Sequence, residues 1–460
     1  MAYQSLNPYD GRILKTFEEL TDEQLETAMR GATQSFDTWR HTSFADRSAV
    51  LHRAAAILRT RVEEFARPIT LEMGKLLEES RGEVALSADI LDYYATNAER
   101  FLAPHHLAPS SGEAVVESTP LGVIFGVEPW NFPYYQLARF VAPNLMVGNV
   151  VLVKHASNVP QCAIAFADLF IEAGAPVGAY TNLLISKAQI ARVIADPRIK
   201  GVALTGSEAA GAIVAGQAGQ ALKKSTMELG GSDAFIVLED ADLDETVKWA
   251  LWGRINNAGQ CCVASKRFIA IEAIADQFLE KFTAAMRGLK TGDPMDKATT
   301  LAPLSSDQAL TALVDQVDRS VAKGARLVLG GTRVDGPGAF MQPTILTDIT
   351  PGNPAYSEEF FGPVALFFRV PDEDAAVALA NDSSFGLGGS VFTKDIARGK
   401  RLASRIEAGM VFINHPTWTA ADLPFGGIKH SGYGRELSGA GIQEFVNKKL
   451  VRVADIHAAA

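Results

Sequence analysis

Beyond Leu121 the chain alternates short apolar runs with longer segments of helical period, and this alternation limits the folds open to it. Leu121–Val127, Val150–Lys154, Asn182–Ile185 and Val202–Leu204 read as strands. Tyr135–Met146, Ala163–Glu172, a segment ending at Ala195 and one starting at Glu208 read as helices. A second series starts near Ala234, with strands Ala234–Leu238 and Arg267–Ile271, helices Asp242–Asn256 and Ile274–Arg287, and further units to Val411–Asn414. Strand–helix–strand units of this length predict parallel sheets covered on both faces. Such folds bind ligands beyond the carboxyl ends of their strands. The expectation is an α/β fold in two layers with a cleft between them.

The first hundred residues read as helical instead. Thr21-x-x-Gln24 is a capping-box pattern, and Leu25, Met29, Ala32, Phe36 and Trp39 follow at helical spacing. Leu51, Ala55, Leu58, Val62 and Phe65 continue a similar pattern, and Ile90 and Tyr94 mark a third helix to about Arg100. Pro104–Gly112 breaks the pattern. Lys448–Val453 reads as one last strand, extending a sheet of this subunit or of a partner.

Composition excludes several classes of function. The 460 residues carry a formal net charge of −10 and no Lys/Arg-rich run, so there is no electrostatic footprint for nucleic acid or an anionic membrane. No apolar run approaches the length of a transmembrane helix. Asp10, Arg12, Lys15, Glu18 and Glu19 precede any apolar stretch, unlike a signal peptide. Three cysteines make no disulfide framework and fit a reducing compartment, so a cytoplasmic protein is expected.

Familiar motifs are missing. No Gly-x-Gly-x-x-Gly follows an early strand. Gly201 and Gly206 have the Walker spacing, but Ser207-Glu208 replaces Lys-Ser/Thr. No metal-binding pattern and no Gly-x-Ser-x-Gly elbow occurs, so no metal is expected.

Three segments combine a reactive residue with unusual backbone control. In Pro129-Trp130-Asn131-Phe132-Pro133 two prolines fix an Asn whose amide can stabilise an oxyanion; the alternative is a rigid turn with a packed Trp. In Glu228-Leu229-Gly230-Gly231 a carboxylate precedes glycines that let backbone approach a ligand; the alternative is a surface Glu beside a turn. Asn257-Ala258-Gly259-Gln260-Cys261-Cys262 places a cysteine at the exit of the Asp242–Asn256 helix, with Gly259 as the helix stop; the alternative is an inert core thiol.

Together these segments resemble the aldehyde dehydrogenase superfamily over essentially the whole chain. Lys154-His155-Ala156-Ser157, Thr205-Gly206-Ser207 with Gly211, Glu359-Phe360-Phe361-Gly362-Pro363 and Pro424-Phe425-Gly426-Gly427 complete the match in the family's order. Lys154-His155-Ala156, Glu228–Asp233 and Arg139 resemble its short bacterial succinate-semialdehyde dehydrogenase branch. The resemblance implies a doubly wound parallel cofactor domain (1–112 and 120–227), a second α/β catalytic domain (228–425) and a small β oligomerisation extension (113–119 and 440–460). It also implies a homodimer or homotetramer.

The same resemblance assigns roles. Cys262 is the nucleophile, Asn131 with the Cys262 N–H holds the oxyanion, and Glu228 is the base that activates water. Lys154 contacts the adenosine ribose, Glu359 the nicotinamide ribose with Phe361 beside it, and Gly206-Ser207 the pyrophosphate. Trp130 and Leu229 line the cofactor site. NAD-preferring members carry Glu where this chain has Ser157, so NADP is the expected cofactor, with NAD also used; Lys187 is either a further cation there or an exposed surface lysine. Arg139 lies eight residues after Asn131, about 12 Å along a helix and near the face of Tyr135. It is expected to capture a substrate carboxylate, with Thr419, Tyr135 and Cys261 nearby; the alternative is an Arg packed on the surface or paired with a nearby acid. The expected reaction is oxidation of succinate semialdehyde to succinate. Dehydrogenation of other aliphatic or aromatic aldehydes and CoA-acylating dehydrogenation are the alternatives, and Glu228 argues against the latter.

Overall fold

A computed structural model describes residues 3–454 and 456 of the chain. Thr21 caps the Asp22–Trp39 helix through the expected box, its hydroxyl accepting from the Gln24 N–H while the Gln24 side chain accepts from the Thr21 N–H. The apolar pattern from Leu51 to Phe65 spans two helices, Phe44–Thr60 and Val62–Met73, because Arg61 leaves helical geometry at φ −119°, ψ 34°. The helix expected around Ile90 and Tyr94 is the fourth, Leu77–Phe101, and begins well before Ile90. Ahead of them Tyr3–Leu6 pairs with Ile13–Phe17, a hairpin that the helical reading of this region passes over.

The first large sheet holds six strands in the spatial order Gly432–Tyr433, Lys224–Glu228, Ile199–Thr205, Val123–Glu128, Val150–His155 and Tyr180–Asn182. All neighbours are parallel except the first pair. The strand expected at Asn182–Ile185 lies at Tyr180–Asn182 instead, and the two share only Asn182. Chain order runs outward from Val123–Glu128 in one direction and then resumes on its other side at Ile199–Thr205. Those two strands therefore flank a topological switch point, where a crevice opens at the carboxyl edge.

The second sheet has seven strands, in the order Arg326–Leu329, Thr344–Thr347, Val364–Val370, Ser265–Ile271, Asp233–Val237, Gly388–Phe392 and Met410–Ile413. Its central strands, such as Ser265–Ile271 and Asp233–Val237, are buried at every residue, as expected where helices cover both faces. The chain passes from the first sheet to the second between Glu228 and Asp233.

A third, antiparallel sheet joins Val446–Val453, Glu113–Pro120 and His105–Leu107. The final strand is thus longer than Lys448–Val453, and part of the Pro104–Gly112 break is itself a strand. Residues 455 and 457–460 of the 440–460 segment lie outside the described residues. Among the described residues no helix is long and apolar enough to cross a membrane.

Candidate active site

Asn131 sits on the turn between the Val123–Glu128 strand and the Tyr135–Val147 helix. The two prolines are not its only restraint. Glu83 Oε1 accepts from the Tyr134 and Tyr135 N–H groups at 2.8 and 3.2 Å, capping that helix from another segment. The other Glu83 oxygen pairs with buried Lys75, whose ammonium lies 3.6 Å from the Phe132 ring centroid. Buried His155 accepts from the Ala156 N–H through Nδ1, which leaves Nε2–H to donate to Pro133 O at 2.9 Å. Burial holds that imidazole down to about 4, so it stays neutral.

The Cys262 loop differs from the sequence expectation. The preceding helix, Leu243–Ile255, ends before Gly259. Asn257 (φ 54°), Ala258 (φ 53°) and Gly259 (φ 78°) then form three consecutive left-handed residues. For the two that carry a Cβ this costs about 1–2 kcal/mol each, so contacts must hold the loop. Glu79 Oε1 accepts from the Asn257 N–H at 3.0 Å. Asn257 Nδ2 donates to Asn131 O (2.9 Å) and Gln260 O (3.1 Å), and Asn131 Nδ2 donates to the same Gln260 O at 3.1 Å. Gln260 Oε1 accepts from the Ser305 N–H at 2.8 Å.

Asn131 and Cys262 meet at one cleft. Trp130, Gly206, Ser207, Leu229, Glu359 and Phe361, six of the expected cofactor contacts, line it too. Trp130 and Phe361 meet edge to face, with centroids 5.9 Å apart. Ser207 caps the Glu208–Gln220 helix, whose N-terminal N–H groups suit a phosphate. Cys262 is half-buried, whereas Cys162 and Cys261 are buried. The adjacent Cys261 and Cys262 thiols oppose each other's ionisation: Cys262 draws the Cys261 thiol below the usual range, while Cys261 and burial hold the Cys262 thiol above it, a rise that Arg139 and Lys266 counter.

Lys154 and Ser157 lie beyond the walls of this cleft, at the carboxyl end of Val150–His155 and on the turn after it. Lys154 is half-buried, and burial together with neighbouring Lys187 pushes its ammonium down to about 8. Ser157 is exposed on a backbone held by Gln4, whose N–H donates to Ser157 O at 3.2 Å. Two cations and a hydroxyl at that end suit an anionic group on the ribose side of a dinucleotide. Among the described residues no cluster of His, Cys, Asp or Glu suits a metal.

Glu228 is buried and does not line the cleft. Burial, and after it the charge of Glu436, hold its carboxyl well above the usual range. A Cβ at Gly426 would stand 2.7 Å from Glu228 Oε1, and φ there is +148°, so only glycine fits.

Arg139, Tyr135 and Thr419 come together in one cluster off the cleft wall. Arg139 is fully buried and off the cleft; its guanidinium pairs with Glu436 and donates to the Tyr135 hydroxyl (3.1 Å) and to Thr205 Oγ1 (3.0 Å). The Tyr135 and Thr419 hydroxyls are hydrogen-bonded at 2.9 Å. Cys261, Tyr135 and Thr419 are also absent from the cleft wall. Sequence spacing put Arg139 and Tyr135 on one helix face, but Glu436 lies almost three hundred residues away in the chain. Sequence separations of 51 and 178 residues likewise hid Glu83 and Glu79 as supports; the only local signal was a run of acids beside an apolar helix face.

The family model for the aldehyde dehydrogenase family matches residues 1–451. The chain is similar to a Deinococcus radiodurans protein named succinate-semialdehyde dehydrogenase (NADP(+)), with 52% identity over 450 residues, 98% of this chain and 94% of that one. A Synechocystis protein named probable succinate-semialdehyde dehydrogenase (NADP(+)) is 46% identical, over 99% of this chain and all of its own. The solved structure of succinic semialdehyde dehydrogenase from Streptococcus pyogenes, in complex with NADP+, superimposes with a TM-score of 0.97 at 48% identity, covering 99% of this chain and 100% of that one.

Proposed function

The chain belongs to the aldehyde dehydrogenase family, and from that premise we propose that it oxidises succinate semialdehyde to succinate with NADP, through a thioester on Cys262. The observation that carries the reading is the meeting of Asn131 and Cys262 at one cleft with Trp130, Gly206-Ser207 and Glu359 around it. The Cys262 thiolate attacks the aldehyde carbon, and the thiohemiacetal oxyanion is held by the Asn131 amide and the Cys262 N–H. The cofactor's part, when bound, is to accept a hydride from that carbon. Gly206-Ser207 and Glu359 hold it across the switch point, and Lys154, Ser157 and Lys187 favour the 2′-phosphate of NADP over NAD. Glu228 then takes a proton from the water that cleaves the thioester, and burial, which disfavours its charged form, makes it the stronger base once ionised.

The substrate's far carboxylate is directed toward the Arg139–Tyr135–Thr419 cluster. Since Arg139 already pairs with Glu436, part of its pull reaches the anion through the hydroxyl chain. A homodimer or homotetramer is supported by Val446–Val453, an edge strand exposed at residues 447–453. A cytoplasmic site of action is supported by three free cysteines.

A panel of aldehydes with each cofactor, ranked by kcat/KM, tests the reading. Succinate semialdehyde with NADP should rank first and no acyl-CoA should form when CoA is added. Butanal ranking equal, or acyl-CoA as product, would overturn it.

A further inference from the structure

Lys266 is fully buried on the Ser265–Ile271 strand, four residues after Cys262. Its ammonium donates to Cys261 O at 3.0 Å and Cys262 O at 2.8 Å, and pairs with Glu359 Oε1 at 2.8 Å. An ammonium has three hydrogens, and each has a partner here. The same Glu359 oxygen accepts from the Gly231 N–H at 3.0 Å. Among the described residues Glu359 Oε2 accepts no protein hydrogen bond, and Glu359 lines the cleft. One cation thus ties the backbone of the nucleophile to the carboxylate assigned to the nicotinamide ribose, and through it to the glycine pair after Glu228. A methionine would fill much of the same space without desolvating a charge.

We propose that Lys266 is a positioning residue that links occupation of the cofactor cleft to the reactivity of the Cys262 thiol. The link rests on the roles given above to Cys262 and Glu359. With no ribose engaged, Glu359 neutralises much of the ammonium's charge. Ribose hydroxyls donating to Glu359 draw on that carboxylate, and the ammonium then acts more fully on the two carbonyls and the thiol beside them. A nearby positive charge favours the thiolate. The thiol is therefore most nucleophilic when the hydride acceptor is in place. The charged groups facing the two thiols are Arg139 from the Tyr135–Val147 helix, Arg254 from the Leu243–Ile255 helix, Lys75 and Lys266, while Asp233 and Glu359 face Lys266 itself. Of these cations, Lys266 alone touches both the cysteine backbone and a carboxylate lining the cleft.

The test is the pH midpoint for alkylation of Cys262 by iodoacetamide in the full-length enzyme, with and without NADP. Fragment masses separate Cys262 from Cys261. In the unsubstituted enzyme NADP should lower the midpoint. Lys266→Met should raise it by about one pH unit, a tenfold loss of thiolate at a fixed lower pH, and remove the response to NADP; Lys266→Arg should restore part of both. Glu359→Gln should act in the opposite direction, lowering the midpoint without NADP because an amide no longer neutralises the ammonium. General loosening of the loop would not move these two variants oppositely. An unchanged midpoint in Lys266→Met, or an unchanged or raised one in Glu359→Gln, would overturn the link, and if Lys266→Met does not fold Glu359→Gln decides alone. Alkylation that spares Cys262 in the unsubstituted enzyme would instead remove the nucleophile assignment, and the link with it.

Discussion

The Asn131 amide donates to the carbonyl oxygen of Gln260 at 3.1 Å, two residues before Cys262. The group assigned to the oxyanion therefore also restrains the loop that carries the nucleophile. Asn131→Ala is expected to lower kcat by about 10²–10³-fold, the usual cost of losing one oxyanion donor. Asn131→Asp, which removes the N–H but keeps the size, should be as slow or slower. Steady-state rates for the two variants, with NADP binding by fluorescence as a control, decide this; a loss below tenfold in both would exclude the role.

Cys262→Ala should abolish dehydrogenase activity while NADP still binds. Cys261→Ala should keep most activity, since Cys261 is buried away from the cleft. A dead Cys261→Ala beside an active Cys262→Ala would mean that the register of the motif is wrong by one residue.

Glu228→Gln separates the two halves of the reaction. Hydride transfer should still give a rapid burst of NADPH, close to one per active site, while turnover stalls at the thioester. In the unsubstituted enzyme the held-up Glu228 carboxyl is protonated at low pH, so deacylation should quicken as pH rises through its pKa. Stopped-flow absorbance shows both effects; a burst lost along with turnover would place Glu228 in the first half-reaction.

Lys154 gives cofactor binding a pH dependence. Its ammonium titrates at about 8 in the free protein. A bound 2′-phosphate favours the charged form, so the pKa rises on binding. Below about pH 8 Lys154 is charged in both free and bound protein and leaves NADP affinity unchanged. Above it, binding requires proton uptake, and affinity should fall by up to about tenfold per pH unit until the bound-state pKa is reached. NAD should show little of this slope, and Ser157→Glu should shift preference toward NAD. Titration calorimetry at pH 7 and 9 is sufficient; equal slopes for NADP and NAD would move the phosphate elsewhere.

For the substrate, Thr419→Val is a cleaner probe than Arg139→Ala. Removing Arg139 strands Glu436 in the interior, and breaking a buried pair costs about 3–5 kcal/mol of stability. Thr419→Val removes one hydroxyl from the chain and should reduce kcat/KM for succinate semialdehyde by about 2- to 12-fold, the worth of one hydrogen bond, leaving butanal unchanged. Parallel losses on both aldehydes would separate Thr419 from the carboxylate.

Much of the architecture was legible because the apolar runs between Leu121 and Asn414 obey local rules. Tyr135–Val147 and Pro160–Glu172 fall within a few residues of their periodic patterns. What local rules miss is set by distant partners. Gly259 looked like a helix stop, yet the helix ends at Ile255 because Glu79 and Asn131 hold Asn257 in a left-handed turn. An acid partner for Arg139 was one of the two readings open in the sequence, but nothing nearby in the chain identifies it as Glu436. His155 stood inside a matched motif with no role, and only the folded chain brings its ring to Pro133.

The strained Cys262 loop also bears on how the enzyme is made. Its restraints come from residues 79, 131 and 305, on separate parts of the chain. A polypeptide emerging from the ribosome exposes Cys262 before the Ser305 N–H exists to fix Gln260. During that interval two adjacent thiols are present without the geometry that makes one of them selective. The finished nucleophile is thus a late product of synthesis, and a chain truncated before Ser305 carries the cysteine but not the site.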